Sequence, residues 1–174
     1  VEIVAHGVST GALFILVGML QERLHTRDLA RMGGLAAELP RLSALTMLFA
    51  IASLGLPGLG NFVGEFLILL GSFTVNPPVT ILASLGLVAA VIYALALIQR
   101  ALHGPPRLPM PRAPGQPHAP LHDLGVRETA VLAVLGAAIV WLGVYPRPLF
   151  DGSAGGLANL QQPAVTASAA QRPR

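Results

Sequence analysis

The run Leu54-Gly55-Leu56-Pro57-Gly58-Leu59-Gly60 lies inside one apolar stretch that extends from about Leu42 to Val75. A continuous helix of that length would measure roughly 50 Å, well beyond the roughly 30 Å of hydrocarbon that a spanning helix crosses with ordinary tilt. The run itself supplies the interruption. Gly55, Gly58 and Gly60 lower helix propensity, and Pro57 removes a backbone donor. The stretch therefore reads as two half-helices, about Leu42 to Ser53 and about Phe62 to Val75, hinged near 54–61. Irregular backbone at membrane depth is tolerated only where protein covers it or where it lines a watery cavity. Broken helices of this kind mark ion and substrate sites in transporters.

Composition supports a membrane setting. Of 174 residues, 53% are hydrophobic and only 11% are charged, against roughly 25% charged in an ordinary soluble domain. The mean hydropathy is +0.67, and a chain this short cannot bury so many apolar side chains behind so few charged ones. Three further stretches are long and apolar enough to span: about Val1 to Leu24, about Val79 to Gln99 and about Val126 to Val144. The reading is an all-α, polytopic membrane protein with four transmembrane segments, the second broken mid-membrane. No lysine occurs, which suits a GC-rich bacterial genome, and the 11 basic residues are single, scattered arginines without the aromatic interleaving of a nucleic-acid surface. The absence of cysteine excludes disulfides and thiolate-bound clusters in this chain. The opening Val1-Glu2-Ile3 shows neither a start methionine nor a signal peptide, so the chain is expected to be a piece of a longer one.

Arginine placement sets the expected topology. Arg23, Arg27, Arg31 and Arg41 flank the first connection, and Arg100, Arg107, Arg112 and Arg127 flank the third, whereas Thr74-Val75-Asn76-Pro77-Pro78 carries none. By the positive-inside rule the first and third connections are cytoplasmic and the C-terminus is periplasmic. Trp141 and Tyr145 suit an interfacial aromatic belt at the outer end of the last helix. Residues 105–120 contain seven prolines and read as an extended cytoplasmic linker. Residues 1–150 then form the transmembrane portion, and 151–174 form a flexible tail.

Two titratable groups fall inside the expected hydrocarbon, Glu65 and His6. An ionised, unpaired carboxylate there costs several kcal/mol, so its presence calls for neutrality, a partner or a use. Desolvation favours the protonated form of a carboxyl, the physical requirement for loading and unloading a proton near neutral pH. Glu65 is thus either a proton-carrying group or a permanently protonated packing residue. His6 is either a relay, with Ser9, Thr10 and Asn61 supplying hydrogen bonds, or a neutral imidazole satisfied within a bundle. Gly7 and Gly11, with Gly18 beyond, suit close helix packing. Glu22, Arg23, Asp28 and Arg31 read as solvated loop charges. His25, His103, His118 and His122 lack metal-ligand spacing, so no metal is assigned.

Ala5-His6-Gly7-Val8-Ser9, His25-Thr26-Arg27-Asp28 leading to Gly33-Gly34-Leu35, Ala52-Ser53-Leu54-Gly55-Leu56-Pro57-Gly58 and Gly60-Asn61-Phe62-Val63-Gly64-Glu65-Phe66 resemble one family. It is the antiporter-like membrane subunits of bacterial NADH-quinone oxidoreductase, respiratory complex I, and within them the subunit M branch. The likeness covers roughly Val1 to Asp151 and is most specific from Ser53 to Phe66. It implies the C-terminal part of a 14-helix, proton-translocating subunit in the bacterial inner membrane, beside the antiporter-like subunits L and N. By the same resemblance Glu65 matches the acidic residue of the outer half-channel, where the L, N and cation/proton antiporter subunits have lysine. His6 matches a histidine on the central hydrophilic axis. NADH, FMN, iron–sulfur clusters and quinone are expected in other subunits, with no cofactor bound here. The alternatives are a subunit of a membrane-bound hydrogenase or a cation/proton antiporter, or a non-catalytic membrane scaffold.

Overall fold

The computed structural model describes residues 1–105 and 121–156, all helix and connection without a strand among them. Helix α1 (Glu2–Leu24) ends where His25 turns left-handed at φ 51° and donates its N–H to the Gln21 carbonyl at 2.8 Å. The chain then makes a single 3-10 turn over Leu29–Arg31, where the Asp28 carboxylate accepts the Ala30 N–H, and a one-turn helix α2 (Leu35–Glu38). Neither short helix is visible as hydrophobic periodicity.

Helix α3 (Pro40–Ser53) starts at a proline, which fits the first helical position because that N–H has no intrahelical partner. After the interruption, α4 (Gly60–Val75) resumes. With 14 and 16 residues, the halves are about 21 and 24 Å long, so neither spans the hydrocarbon alone. Asn76 alone joins α4 to α5 (Pro77–Ile98), which again opens on prolines and runs into a π-helical turn at Gln99–His103. Helix α6 (Val126–Val144) is the last long helix. The expected four segments and the break are therefore in place, with α3 and α5 each starting two residues early because proline at a helix start is favourable, and with α4 starting at Gly60 and not Phe62, so that Gly60 of the expected hinge is the first residue of the second half-helix. The tail differs. Residues 147–156 are helical, held by the Ser153 hydroxyl donating to the Leu149 carbonyl at 2.9 Å, so the segment expected to be flexible from 151 is ordered through 156. The linker from 106 to 120 and the tail beyond 156 lie outside the described residues.

Helix α1 packs against α3, α4 and α6, and α4 also contacts α6 and α5. Their shared core contains Ala5, Ala12 and Leu16 of α1, Phe49 and Ala52 of α3, and Leu132, Ile139 and Leu142 of α6. Small residues let backbones approach, the usual basis of helix association in lipid, where burial of apolar surface gives no drive. The outside is apolar. Ile3 is 89% exposed and Leu82 69%, and most of α5 presents Ile, Leu and Val outward. Such a surface suits hydrocarbon as its solvent.

The broken helix runs antiparallel to α1. The first turn of α3 lies at the Arg23 end, whereas Gly60 at the start of α4 packs on Ala5. The interruption thus faces the first turns of α1 and the last turns of α6.

Candidate functional site

Three close approaches build the site. A Cβ at Gly60 would lie 2.9 Å from Leu142 Cβ and 3.0 Å from Ala5 Cβ, so only glycine admits α1 and α6 this near. A Cβ at Gly143 would collide with the Gly58 carbonyl, so the break rests directly on the last turn of α6. The start of α4 has no side-chain cap. The carbonyls at the end of α3 are taken up locally, Ala50 by the Ser53 hydroxyl at 2.8 Å, Ile51 by the Leu54 N–H at 3.1 Å and Ala52 by the Gly55 N–H at 3.3 Å.

Glu65 points back into this break. Its carboxyl fills the space beside Gly55, where a Cβ would meet Oε2 and lie 3.0 Å from Cδ. Gly55 also has φ +66°, in the left-handed region that other residues adopt at a cost. Glycine at 55 therefore serves twice, setting the turn and seating the carboxyl. Glu65 is half-buried, and His6 of α1 is exposed but within Coulombic reach of it. Pro57 and Gly58 are exposed at the outer lip of the break, with Gly58 at φ +96°.

A polar strand lies behind Glu65. Asn61, fully buried, donates through Nδ2 to Ser9 Oγ at 3.0 Å, and the Ser9 hydroxyl donates to the His6 carbonyl at 3.2 Å. Thr10 Oγ1 is 3.4 Å from His6 Nδ1. The side chains singled out from sequence, His6, Ser9, Thr10, Asn61 and Glu65, thus lie together at one end of the bundle. One member was missed. Glu2 packs against Gly64 and buries its Oε2 without a hydrogen-bond partner. The signal that could have found it is spacing, since Glu2, His6 and Thr10 follow one another four residues apart on one helix face.

No described residue comes within 4 Å of a Cβ at Gly7, Gly11 or Gly18, so the helix expected to pack on them is none of those described. The close contacts fall at Gly60, Gly64 and Gly143 instead, because α1 turns its Ala5, Ser9 and Ala12 face to the bundle. One sequence expectation requires correction, that of Arg23. Arg23 was read as a solvated charge. It is instead an inter-helix clamp, with NH2 donating to Glu128 Oε2 at 2.7 Å, Nε to the His122 carbonyl at 2.7 Å and NH1 to the Met19 carbonyl at 2.9 Å. Asp123 completes that end by accepting the Arg41 N–H at 2.8 Å and the Leu42 N–H at 3.1 Å, a cap for α3 supplied from beyond the linker. Partial burial pushes the Asp123 carboxyl up, but the N–H donors of Arg41, Leu124 and Leu42 and the Arg41 charge outweigh it and hold it below the ordinary carboxylate range. No group of three metal-ligating side chains occurs among the described residues.

Comparison with known proteins adds an independent line. The family described as NADH:quinone oxidoreductase/Mrp antiporter, TM, matches residues 1–92. NADH-quinone oxidoreductase subunit M of Pseudomonas aeruginosa is 49% identical over 162 residues, which are 93% of this chain and 30% of that protein. The protein of the same name from Escherichia coli K12 is 43% identical over 174 residues, 99% of this chain and 33% of its own length. A third, from Rhodobacter capsulatus, is 38% identical over 161 residues. The chain spans about a third of the length of these curated relatives.

Proposed function

We propose, for a chain that belongs to the NADH:quinone oxidoreductase/Mrp antiporter transmembrane family, that it forms the outer half-channel of a proton-translocating subunit of bacterial NADH-quinone oxidoreductase. The observation that carries this reading is the Glu65 carboxyl seated against Gly55 in the break of the second segment. A carboxyl held in a helix interruption sits where backbone groups admit water, so a proton can reach and leave it without crossing continuous hydrocarbon. In this reading Glu65 accepts a proton from the interior side, where His6, Thr10, Ser9 and Asn61 supply a partly hydrogen-bonded route, and releases it outward. The driving charge changes arise in other subunits. NADH oxidation, its flavin and iron–sulfur clusters, and quinone reduction reside there, and the chain contributes no redox centre. Subunits L and N are its expected neighbours in the inner membrane, with the arginine-flanked connections cytoplasmic and the C-terminus periplasmic, as supported by the arginine asymmetry.

The test uses the complete subunit in the assembled complex. Glu65→Gln is expected to abolish most NADH-driven proton uptake into inverted vesicles while the complex still assembles. Unchanged pumping with normal assembly would favour a packing role for Glu65 and overturn the reading.

A further inference from the structure

Glu2 stands apart from the groups used so far. It lies on the first turn of α1, its side chain is half-buried, and its Oε2 is buried without a hydrogen-bond partner. A buried carboxyl oxygen in that condition is costly unless a proton or water satisfies it. Its position is made by glycine. A Cβ at Gly64 would lie 2.6 Å from Glu2 Cβ and 2.7 Å from Glu2 Cα, so α4 leaves a gap that α1 fills with this residue. Gly64 precedes Glu65 directly. Two adjacent contacts thus each seat one carboxyl, Gly55 that of Glu65 and Gly64 that of Glu2.

The charges around the pair are few. Glu65 feels Glu2 and His6, and Glu2 feels His6, while α6 brings apolar Ile139 and Leu142 to this end. Two carboxyls in a poorly solvated site cannot both ionise cheaply, so they titrate as one coupled unit rather than as two independent acids.

We propose that Glu2 and Glu65 form an acid pair that holds one proton in its resting state, directly or through water, and cycles between one and two protons during transfer. A proton arriving from the interior side binds a carboxylate oxygen of the singly protonated pair, which gives a doubly protonated, uncharged pair. Loss of a proton from Glu65 to the outer side restores the singly protonated pair with one negative charge. The inference rests on the reading of Glu65 as the proton-carrying group and adds its partner. Glu2 acts through Glu65 and is a positioning residue for the proton.

The experiment follows carboxyl protonation by infrared C=O absorption against pH in the intact complex, alongside NADH-driven pumping. Glu2→Gln, Glu2→Asp and Glu65→Gln in the complete subunit are each compared with the parent. The parent is expected to lose two carboxyl protons in well-separated steps. Glu2→Gln is expected to remove one step, to move the remaining one by about a pH unit or more, and to lower pumping several-fold. Glu2→Asp is expected to keep both steps and most pumping. If Glu2→Gln leaves the Glu65 step unmoved while Glu65→Gln abolishes pumping, the pair is overturned and the proton-carrying role of Glu65 stands. If Glu65→Gln pumps normally, both fall. Should Glu2→Gln fail to assemble, the parent alone decides, since a single unseparated carboxyl step overturns the pair.

Discussion

The two ends of α3 are held by opposite means. At its start, Arg23 of α1, Glu128 of α6 and Asp123 form a closed set in which each charge meets an opposite charge or a backbone group, and Arg23 and Glu128 are only 14% and 28% exposed. At its end, Glu2 Oε2 and Asn61 Oδ1 are buried without partners, and the Glu65 carboxyl rests against bare glycine backbone. The start has orphans too, the hydroxyls of Ser43 and Thr129, but those groups carry no charge. Under the proposed function the contrast separates a structural device from a working one. Charge-assisted hydrogen bonds in good geometry fix helix ends and gain nothing by changing state. Under-satisfied ionisable groups at membrane depth are retained where a change of protonation is the point.

The largest expected effect breaks the working end. Gly55→Ala places a methyl group where the Glu65 carboxyl sits and forces φ +66° on a residue that resists it, so pumping should fall on the order of 100-fold with the complex assembled. Gly58→Ala is the control. It carries similar backbone strain at φ +96° but has nothing within 4 Å, so vesicle pumping should fall far less. Equal losses in the two variants would show that backbone strain, and not the seat of the carboxyl, governs activity.

A smaller effect is expected at the clamp. Arg23→Ala leaves Glu128 and three backbone carbonyls short of a donor, and should destabilise the subunit by about 1–3 kcal/mol while pumping per assembled complex is retained. Thermal inactivation of the purified complex measures the first quantity and vesicle pumping the second. A loss of pumping without a loss of stability would erase the division between the two ends.

The smallest effect concerns the cap. Asp123→Ala should cost about 1 kcal/mol, in line with the removal of other helix N-caps. Because the folded Asp123 carboxyl lies below its ordinary range, its contribution is complete above its unfolded value of about 3.9 and is lost as pH falls through the lower folded value. The acid limb of the stability profile should therefore flatten in Asp123→Asn. An identical limb in parent and variant would remove Asp123 from the clamp.

Much of this was legible in the sequence for one reason: a long apolar stretch that exceeds the membrane must break, and Gly55 to Gly60 are the residues that break it. Glu65 and His6 stood out because ionisable groups in such stretches are rare. Glu2 did not, since the position of one carboxylate on a helix does not show that it shares an end of the bundle with Glu65. Arg23 and Asp123 were obscured because positive-inside patterning marks a loop charge without revealing its partner, and those partners lie 105 and about 80 residues away.

By itself the sequence determined the solvent, the number and approximate limits of the spanning segments, the break and the carboxyl beside it. These follow from local quantities: apolar length against membrane thickness, proline and glycine against helix propensity, and charge against desolvation. Only the tertiary structure decided which glycines seat carboxyls, that Glu2 shares the end of the bundle occupied by Glu65, and that α3 takes its cap from Asp123 across the linker. Those outcomes depend on how α1, α3, α4 and α6 approach one another, a relation between distant segments that no local stretch of residues encodes.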